Sequence, residues 1–319
     1  MDIQYLLWLQ ELKQALPSSV EQFFVIVSAI AASSALIIIP CILYWCLDKR
    51  AGQSIVFGFA MGSLCNQFLK NTVACYRPWV RSTAIHPTEA ALPEATGYSF
   101  PSGHTQGATS LFGGLGWYLR KTHLPLSILC WAFVLLVGIS RNFLGVHTPQ
   151  DVIVALLEGI ASVALGELLI NWAGAQEGRD TKVLVIGVIL ATAFLVFVTV
   201  KPYPIDYDAT GALLVDPVAM QVDCYKSGGL ALGLVTGWYL ERRKLSFVVD
   251  SNALGWKGIA RRLFVGIVVV LAFHLAPRLL ASVLTDQRCL ELIKYFLTAF
   301  AAVFAAPLAF CAVERRRTA

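Results

Sequence analysis

Apolar runs about twenty residues long alternate with short polar stretches along nearly the whole chain, and this alternation sets the fold class. A helix needs ~20 predominantly apolar residues to cross a hydrocarbon core. Nine stretches near that length fall at about 23–47, 51–73, 103–119, 124–140, 150–174, 182–200, 226–240, 258–282 and 289–313. The pattern predicts an all-α, polytopic membrane helix bundle of about nine transmembrane helices. Ahead of it, residues 3–16 have the spacing of an amphipathic helix lying in the membrane interface, although a plain soluble helix would read the same way. Pro17 should stop that helix, and Ser18 with Glu21 has the spacing of a capping box for the first span. Asp2, with no basic cluster before an apolar run, gives no sign of a cleavable signal peptide.

No low-complexity linker divides the chain. The expected organisation is an interfacial segment at 1–19, a catalytic membrane core at 20–200, and a C-terminal extension of three spans at 201–319. Gly58-x3-Gly62, and Gly229, Gly233 and Gly237 at four-residue spacing, are places where helix backbones can approach closely.

Composition sharpens the class. Hydrophobic residues make up 57% of the 319 and charged residues 14%, against about a quarter charged in an ordinary soluble domain. Little chain is left for a soluble domain. Positive charge is retained on the cytoplasmic side of membranes, so Lys and Arg in alternate loops report orientation. One set holds Lys49, Arg50, Arg120, Lys121, Arg179, Lys182, Arg242, Arg243, Lys244, Lys257, Arg261, Arg262 and Arg315 to Arg317, fifteen of 25. That set is placed inside, which puts the N-terminus outside and the C-terminus inside. The net charge of +5 follows from this arrangement and gives no reason to expect nucleic acid. The eight cysteines form no metal-type pair and mostly sit within apolar runs. Cys75, Cys224 and Cys289 fall near the outer face, where a disulfide could form.

Candidate chemistry gathers in three clusters on the predicted outer side. The first is Lys70-Asn-Thr-Val-Ala-Cys-Tyr-Arg77-Pro78, in which Lys70 alone reads as a snorkelling anchor and Arg77 as a headgroup contact. The second is Pro101-Ser102-Gly103-His104 before an apolar helix. Ser102 can cap that helix, and its free N–H groups make a ready anion site. An ordinary capped start with an interfacial histidine is the bland alternative. The third is Ser140-Arg141-x5-His147-x3-Asp151. Pro149 suits the first helical position and Thr148 the cap, which sets His147 just before the helix. Asp151 can close a capping box with Thr148 or accept the ring N–H of His147. Glu158 lies seven residues on, on the same helix face, as a candidate for support of Asp151. Glu167, Asn171, His274 and Lys294 are further polar residues within apolar runs.

Together the clusters supply what phosphoryl transfer without a metal needs. Lys70, Arg77 and Arg141 offer cations, Ser102 and Gly103 offer neutral donors, and the two histidines offer a nucleophile and a general acid. The motifs Lys-x6-Arg-Pro, Pro-Ser-Gly-His and Ser-Arg-x5-His-x3-Asp resemble the type 2 phosphatidic acid phosphatase superfamily, which includes glucose-6-phosphatase and the vanadium haloperoxidases. The resemblance spans roughly 50–175. It implies that His147 attacks phosphorus, Asp151 orients it, and His104 protonates the leaving oxygen and then activates water. It further implies that Lys70, Arg77, Ser102, Gly103 and Arg141 hold the phosphate, with no divalent metal and no other cofactor.

The expected function is therefore an integral membrane phosphoric monoester hydrolase acting on a lipid phosphate of the phosphatidate, sphingoid-base phosphate or polyprenyl phosphate class. Its active site would face the non-cytoplasmic side, and its partners would be the bilayer and the lipid substrate. In the common six-span members the first motif follows the third span, whereas here it follows the second. That layout looks more like glucose-6-phosphatase and the sphingoid-base phosphate phosphatases, and a soluble sugar phosphate is the alternative substrate. Residues 79–100, with His86, Glu89 and Glu94, would then form a polar lid. A third reading is a phosphate-recognising transporter.

Overall fold

The computed structural model describes residues 2–318 apart from Ser246 and Ala281. Of Ser251, Asn252, Leu280 and residues 315–318 it describes the backbone alone, so the side chains of Arg315 to Arg317, three of the counted cations, lie outside the description. Among the described residues the regular structure is helical, with one isolated antiparallel bridge between Tyr207 and Leu213. Five helices are long and apolar enough to cross a membrane: Leu124–Phe143, Pro149–Gly174, Arg179–Val200, Ala253–Leu279 and Gln287–Glu314. A sixth appears if Ser18–Ala32 and Ser34–Leu47, bent by 49° at their junction, are one broken span. The protein is thus an all-α membrane bundle.

The remaining expected spans are helical without reaching that apolarity. Lys49–Val73 runs for 25 residues but carries Gln53, Asn66, Gln67, Lys70 and Asn71. Residues 103–119 wind as Gly103–Ala108, a π-turn at Thr109–Gly113, and Gly114–Leu119. Pro217–Leu240 carries Asp223 and Lys226. The expected first span breaks because Ser33 is extended, at φ −65° and ψ 119°, and its hydroxyl accepts from Ala35 N at 3.3 Å. A serine offering the backbone a local partner competes with the helical ladder. The capping box at Ser18 does not form either. Pro17 takes the cap position with no side-chain bond, and Glu21 instead accepts from Thr88 Oγ1 at 2.5 Å and pairs with Lys13 at 3.4 Å.

The chain divides into two compact units. The first comprises residues 1–37, 65–164 and 201–220 and holds all three motif clusters. In it, Ser18–Ala32 and Gly103–Ala108 pack against Leu124–Phe143 around Val27, Ala108 and Val137. The helix Asp2–Ala15 buries Leu6 and Leu9 against Ile85 and Phe143 while Tyr5, Trp8 and Leu12 stay exposed. One apolar edge on protein and another left open is the pattern of a helix at an apolar boundary.

The second unit comprises residues 38–64, 165–200 and 221–319, with a core that includes Tyr44, Trp45, Phe57, Trp238 and Phe310. Its glycines allow backbone-to-backbone packing. A Cβ at Gly229 would stand 2.3 Å from Leu292 O, and one at Gly233 2.1 Å from Phe296 O. Gly166 meets Ser54 O and Gly58 N in the same way, at 2.4 and 2.8 Å. Any side chain there would force the helices apart. None of the eight cysteines is joined in a disulfide, so the outer-face disulfide is not formed.

Candidate active site

Lys70 sits in the last turn of Lys49–Val73, after which Ala74 takes a left-handed φ of 51° and turns the chain out of the helix. Arg77 then caps the short helix Pro78–Arg81, whose first position is proline. The loop that follows is pinned by Ser99 N donating to Cys75 O at 2.7 Å. It delivers Ser102 as the cap of Gly103–Ala108, its hydroxyl accepting from Thr105 N at 3.4 Å and Thr105 Oγ1 at 3.1 Å. Ser102 N in turn donates to Asp151 O at 3.0 Å, which ties the second cluster to the third.

The third cluster is built around the end of Leu124–Phe143. Gly145, at φ 73°, lets the chain double back so that Val146 N and His147 N both donate to Arg141 O at 3.2 Å. Asn142 Nδ2 holds His147 O at 2.9 Å. Asp151 Oδ2 accepts from Thr148 N at 2.8 Å while Asp151 N lies 3.4 Å from Thr148 Oγ1, a reciprocal cap at the start of Pro149–Gly174. The same Oδ2 stands 3.3 Å from His147 Nδ1, so one oxygen serves both the cap and the histidine.

His147 is 1% exposed and held from both ring nitrogens. Nδ1 faces Asp151, and Nε2 lies 3.0 Å from Arg77 Nη1. A proton on Nδ1 satisfies both contacts, because the carboxylate accepts it and the bare Nε2 accepts from the guanidinium. Arg77 is fixed by three backbone carbonyls, Thr96 at 2.7 Å, Val146 at 3.0 Å and Gly97 at 3.1 Å. Burial first, then the charges of Arg77 and Arg141, hold the His147 imidazole well below its usual pKa. A neutral ring with its lone pair on Nε2 can act as a nucleophile once Arg77 turns from that nitrogen to a phosphate oxygen. Burial and the Arg141 charge lower the Arg77 guanidinium to about 9, which still leaves it cationic near neutrality.

Arg141 is fully buried, with Nη1 donating to Ser28 Oγ, while Nε and Nη2 have no partner among the described residues. Two open donors on one buried guanidinium form a fork suited to an oxyanion. Lys70 Nζ lies 3.3 Å from Tyr98 O, beside that loop. His104 meets Glu94, Nε2 to Oε2 at 3.1 Å, and the hydrogen bond from His104 lowers the Glu94 pKa. Gly103 is exposed at the start of its helix. Beside Arg77 opens a cavity of about 230 Å³ lined by Tyr76, Trp79, Thr96, Val215, Asp216 and Ala219, among others.

Sequence reasoning missed three of these partners. Ser99 Oγ donates to Asp151 Oδ2 at 2.5 Å and lies 3.5 Å from His147 Nδ1. Ser28 grips Arg141, and Glu94, expected only in a lid, bonds His104. Nothing in local spacing marks Ser99 or Ser28, which reach their partners across 52 and 113 residues. Glu158 accepts from Asn66 Nδ2 at 3.0 Å, and its other oxygen is buried with no partner among the described residues. No group of three or more His, Cys, Asp or Glu able to hold a metal ion occurs among the described residues.

Two family models cover this architecture. The model described as "PAP2 superfamily" matches residues 51–175, and "PAP2 superfamily phosphatase, transmembrane extension" matches residues 225–317. The chain belongs to the PAP2 superfamily. Over 110 residues it is 32% identical to phosphatidylglycerophosphatase B of Bacillus subtilis (strain 168), covering 32% of this chain and 49% of that protein. It is 43% identical over 79 residues to phosphatidylglycerophosphatase B of Escherichia coli (strain K12), 23% of this chain and 30% of that one. An undecaprenyl-diphosphatase of Sulfolobus acidocaldarius is 32% identical over 111 residues, 35% of this chain and 51% of its own. The chain thus spans about half the length of these relatives, or less. No solved structure matches it.

Proposed function

We propose that this protein is a membrane-embedded phosphomonoesterase that acts on a lipid phosphate through a phosphohistidine at His147, without a metal. The observation that carries the reading is the setting of His147: a neutral imidazole with Asp151 at Nδ1 and a cation at Nε2, beside the open donors of Arg141. A phosphate whose oxygens took Arg77 and Arg141 would free Nε2 for in-line attack. The N–P bond forms as the P–O bond to the alcohol breaks, and His104 gives its proton to the departing oxygen. His104 then takes a proton from water, whose oxygen displaces His147 to release inorganic phosphate. Lys70, Ser102 and Gly103 add donors to the equatorial oxygens. Protein cations fill the charge role that a divalent ion has in other phosphatases. Phosphate release should therefore survive a chelator and fall with vanadate, and an absolute need for added magnesium would contradict the reading.

The substrate class follows from setting. The phosphatidylglycerophosphatase and undecaprenyl-diphosphatase names specify phosphate groups on lipids, while a glucose-6-phosphatase of Mus musculus is also similar, at 24% identity over 148 residues. Among the described residues the site lies at the ends of membrane helices, which favours the lipid. Each buried methylene contributes ~0.8 kcal/mol, so a chain held partly in the protein separates long-chain from water-soluble esters by orders of magnitude in kcat/KM. A panel of phosphatidate, phosphatidylglycerophosphate, sphingoid-base phosphate, polyprenyl phosphate and glucose 6-phosphate in mixed micelles, read by phosphate release, tests this. Preference for glucose 6-phosphate over every lipid would overturn the substrate while sparing the chemistry.

Nine crossings, with the N-terminus outside and the C-terminus inside, remain our reading of the topology. Lys49–Val73, residues 103–119 and Pro217–Leu240 would cross with their polar residues turned toward protein. The active site then faces the non-cytoplasmic side. Cysteines introduced near Arg81 and Asp206 should react with an impermeant thiol reagent in intact cells, and one near Arg243 should not, after correction for exposed Cys65 and Cys289. The opposite labelling would invert the topology.

A further inference from the structure

The second unit holds a cavity of about 500 Å³ that no motif accounts for. Its walls are Lys49, Arg50, Gln53, Ile170, Asn171, Gly174, Ala175 and Arg242. Three of these eight are cations and none is a carboxylate. Lys49 and Arg50 occupy the first turn of Lys49–Val73, where the helix dipole favours acidic side chains and opposes basic ones. The Asp48 carboxylate already caps this helix end, accepting from Ala51 N at 2.9 Å, so the cations that line the cavity, and not the helix terminus, call for an anion. Lys49 Nζ is held by Glu241 at 2.8 Å and by Phe247 O at 2.6 Å, and Arg242 lies over the Trp238 ring at 5.1 Å. Arg50 donates from Nε to Asn171 Oδ1 at 2.9 Å.

A second observation is independent of charge. Gln53 is 7% exposed and lines the cavity, and its buried Nε2, beside the Tyr44 hydroxyl, makes no hydrogen bond of good geometry among the described residues. A donor left in that state calls for an acceptor. A Cβ built on Gly174 meets nothing within 4 Å, so space lies open at that wall. Depth is marked by the neighbouring Trp172, half exposed, whose carbonyl accepts from Arg179 Nη1 at 3.1 Å and whose ring carries the guanidinium at 4.9 Å. Trp and Arg paired in this way mark the headgroup layer of a bilayer.

From these observations we infer that the cavity is a binding site for a phosphate-bearing anion, held by Arg50, Arg242, Lys49 and the Gln53 amide, with the headgroup of an anionic phospholipid as its source. Basic pockets between membrane helices take such headgroups. The site shares no residue with the proposed hydrolytic site and does not rest on the proposed hydrolysis.

The test uses the full-length protein in a neutral detergent and native mass spectrometry with phosphatidylglycerol, phosphatidylcholine or inorganic phosphate as the probe. Wild type should retain one phosphatidylglycerol and no phosphatidylcholine. The pair Arg50→Gln with Arg242→Gln removes two charge-assisted contacts and should weaken retention roughly a hundredfold. Gln53→Leu keeps every charge and the helix, so it guards against a folding artefact, and it should weaken retention about tenfold. His147→Ala should retain the lipid as wild type does. Binding of inorganic phosphate, lost in the same variants, with no lipid retained, would keep the site and assign it to free phosphate. The inference is overturned if neither probe binds, if all variants bind alike, or if only His147→Ala loses the lipid. Phosphate release by the same preparations is a separate reading, so failure of binding and failure of catalysis are distinguishable.

Discussion

Replacing His147 with alanine should reduce phosphate release by at least about 10⁴-fold and abolish any acid-labile phosphoenzyme. The expectation rests on geometry: in the proposed mechanism Nε2 is the atom that attacks, and among the described residues no other histidine is held by a carboxylate on one side and a guanidinium on the other. Alanine also removes a buried ring, so thermal unfolding must accompany the assay to show that the variant is folded. His104→Ala provides the contrast. It loses the general acid but keeps the nucleophile, so it should still form a phosphoenzyme from a substrate with a good leaving group. Equal labelling of wild type and His147→Ala would falsify the assignment of the nucleophile.

Asp151→Asn should cost about 10³- to 10⁴-fold in kcat with a much smaller change in KM. The carboxylate does three things through one oxygen, accepting from Thr148 N and Ser99 Oγ while facing His147 Nδ1. An amide can keep the helix cap through its own oxygen. It then has no remaining acceptor for the ring, and its NH2 would meet Nδ1 as a donor and favour the tautomer protonated on Nε2. That tautomer has no lone pair where the phosphorus arrives. Ser99→Ala should have the same sign with a smaller size, roughly tenfold, because it loosens the carboxylate without changing its charge. A proportionate loss in kcat for Asp151→Asn and Ser99→Ala would argue for a merely structural Asp151.

Much of the site's local construction was legible, because caps and turns act over three or four residues. Thr148, Pro149 and Asp151 declared a helix start, and Ser102 declared another; both form. Whether those residues carry the chemistry is what the variants above measure. The long-range partners were not legible. Ser28 reaches Arg141, and Ser99 reaches Asp151, only once the helices are packed, and no spacing rule encodes that. The start of the first span shows the same limit from the other side. Ser18 and Glu21 had the spacing of a capping box, but Lys13 and Thr88 offered Glu21 better partners. A local rule lost to a tertiary contact. Counting apolar residues likewise overstated what hydropathy supports for Lys49–Val73, whose polar stripe carries Asn66 to Glu158 and Lys70 to the site loop.

The cavity beside Arg77 is walled on one side by the loop 95–97 and on the other by Leu214, Val215, Asp216 and Ala219, and Gly97 comes so near Met220 that a Cβ would sit 2.0 Å from its sulfur. The residues proposed to handle phosphate all fall within 51–175, and this far wall falls outside both family-matched stretches. Mutation in this wall can therefore reshape the cavity beside Arg77 without altering any residue proposed to handle phosphate. Under the proposed function, relatives that differ at residues 201–220 would accept different headgroups for the same reaction, and a Cβ at Gly97 would press that wall back at Met220.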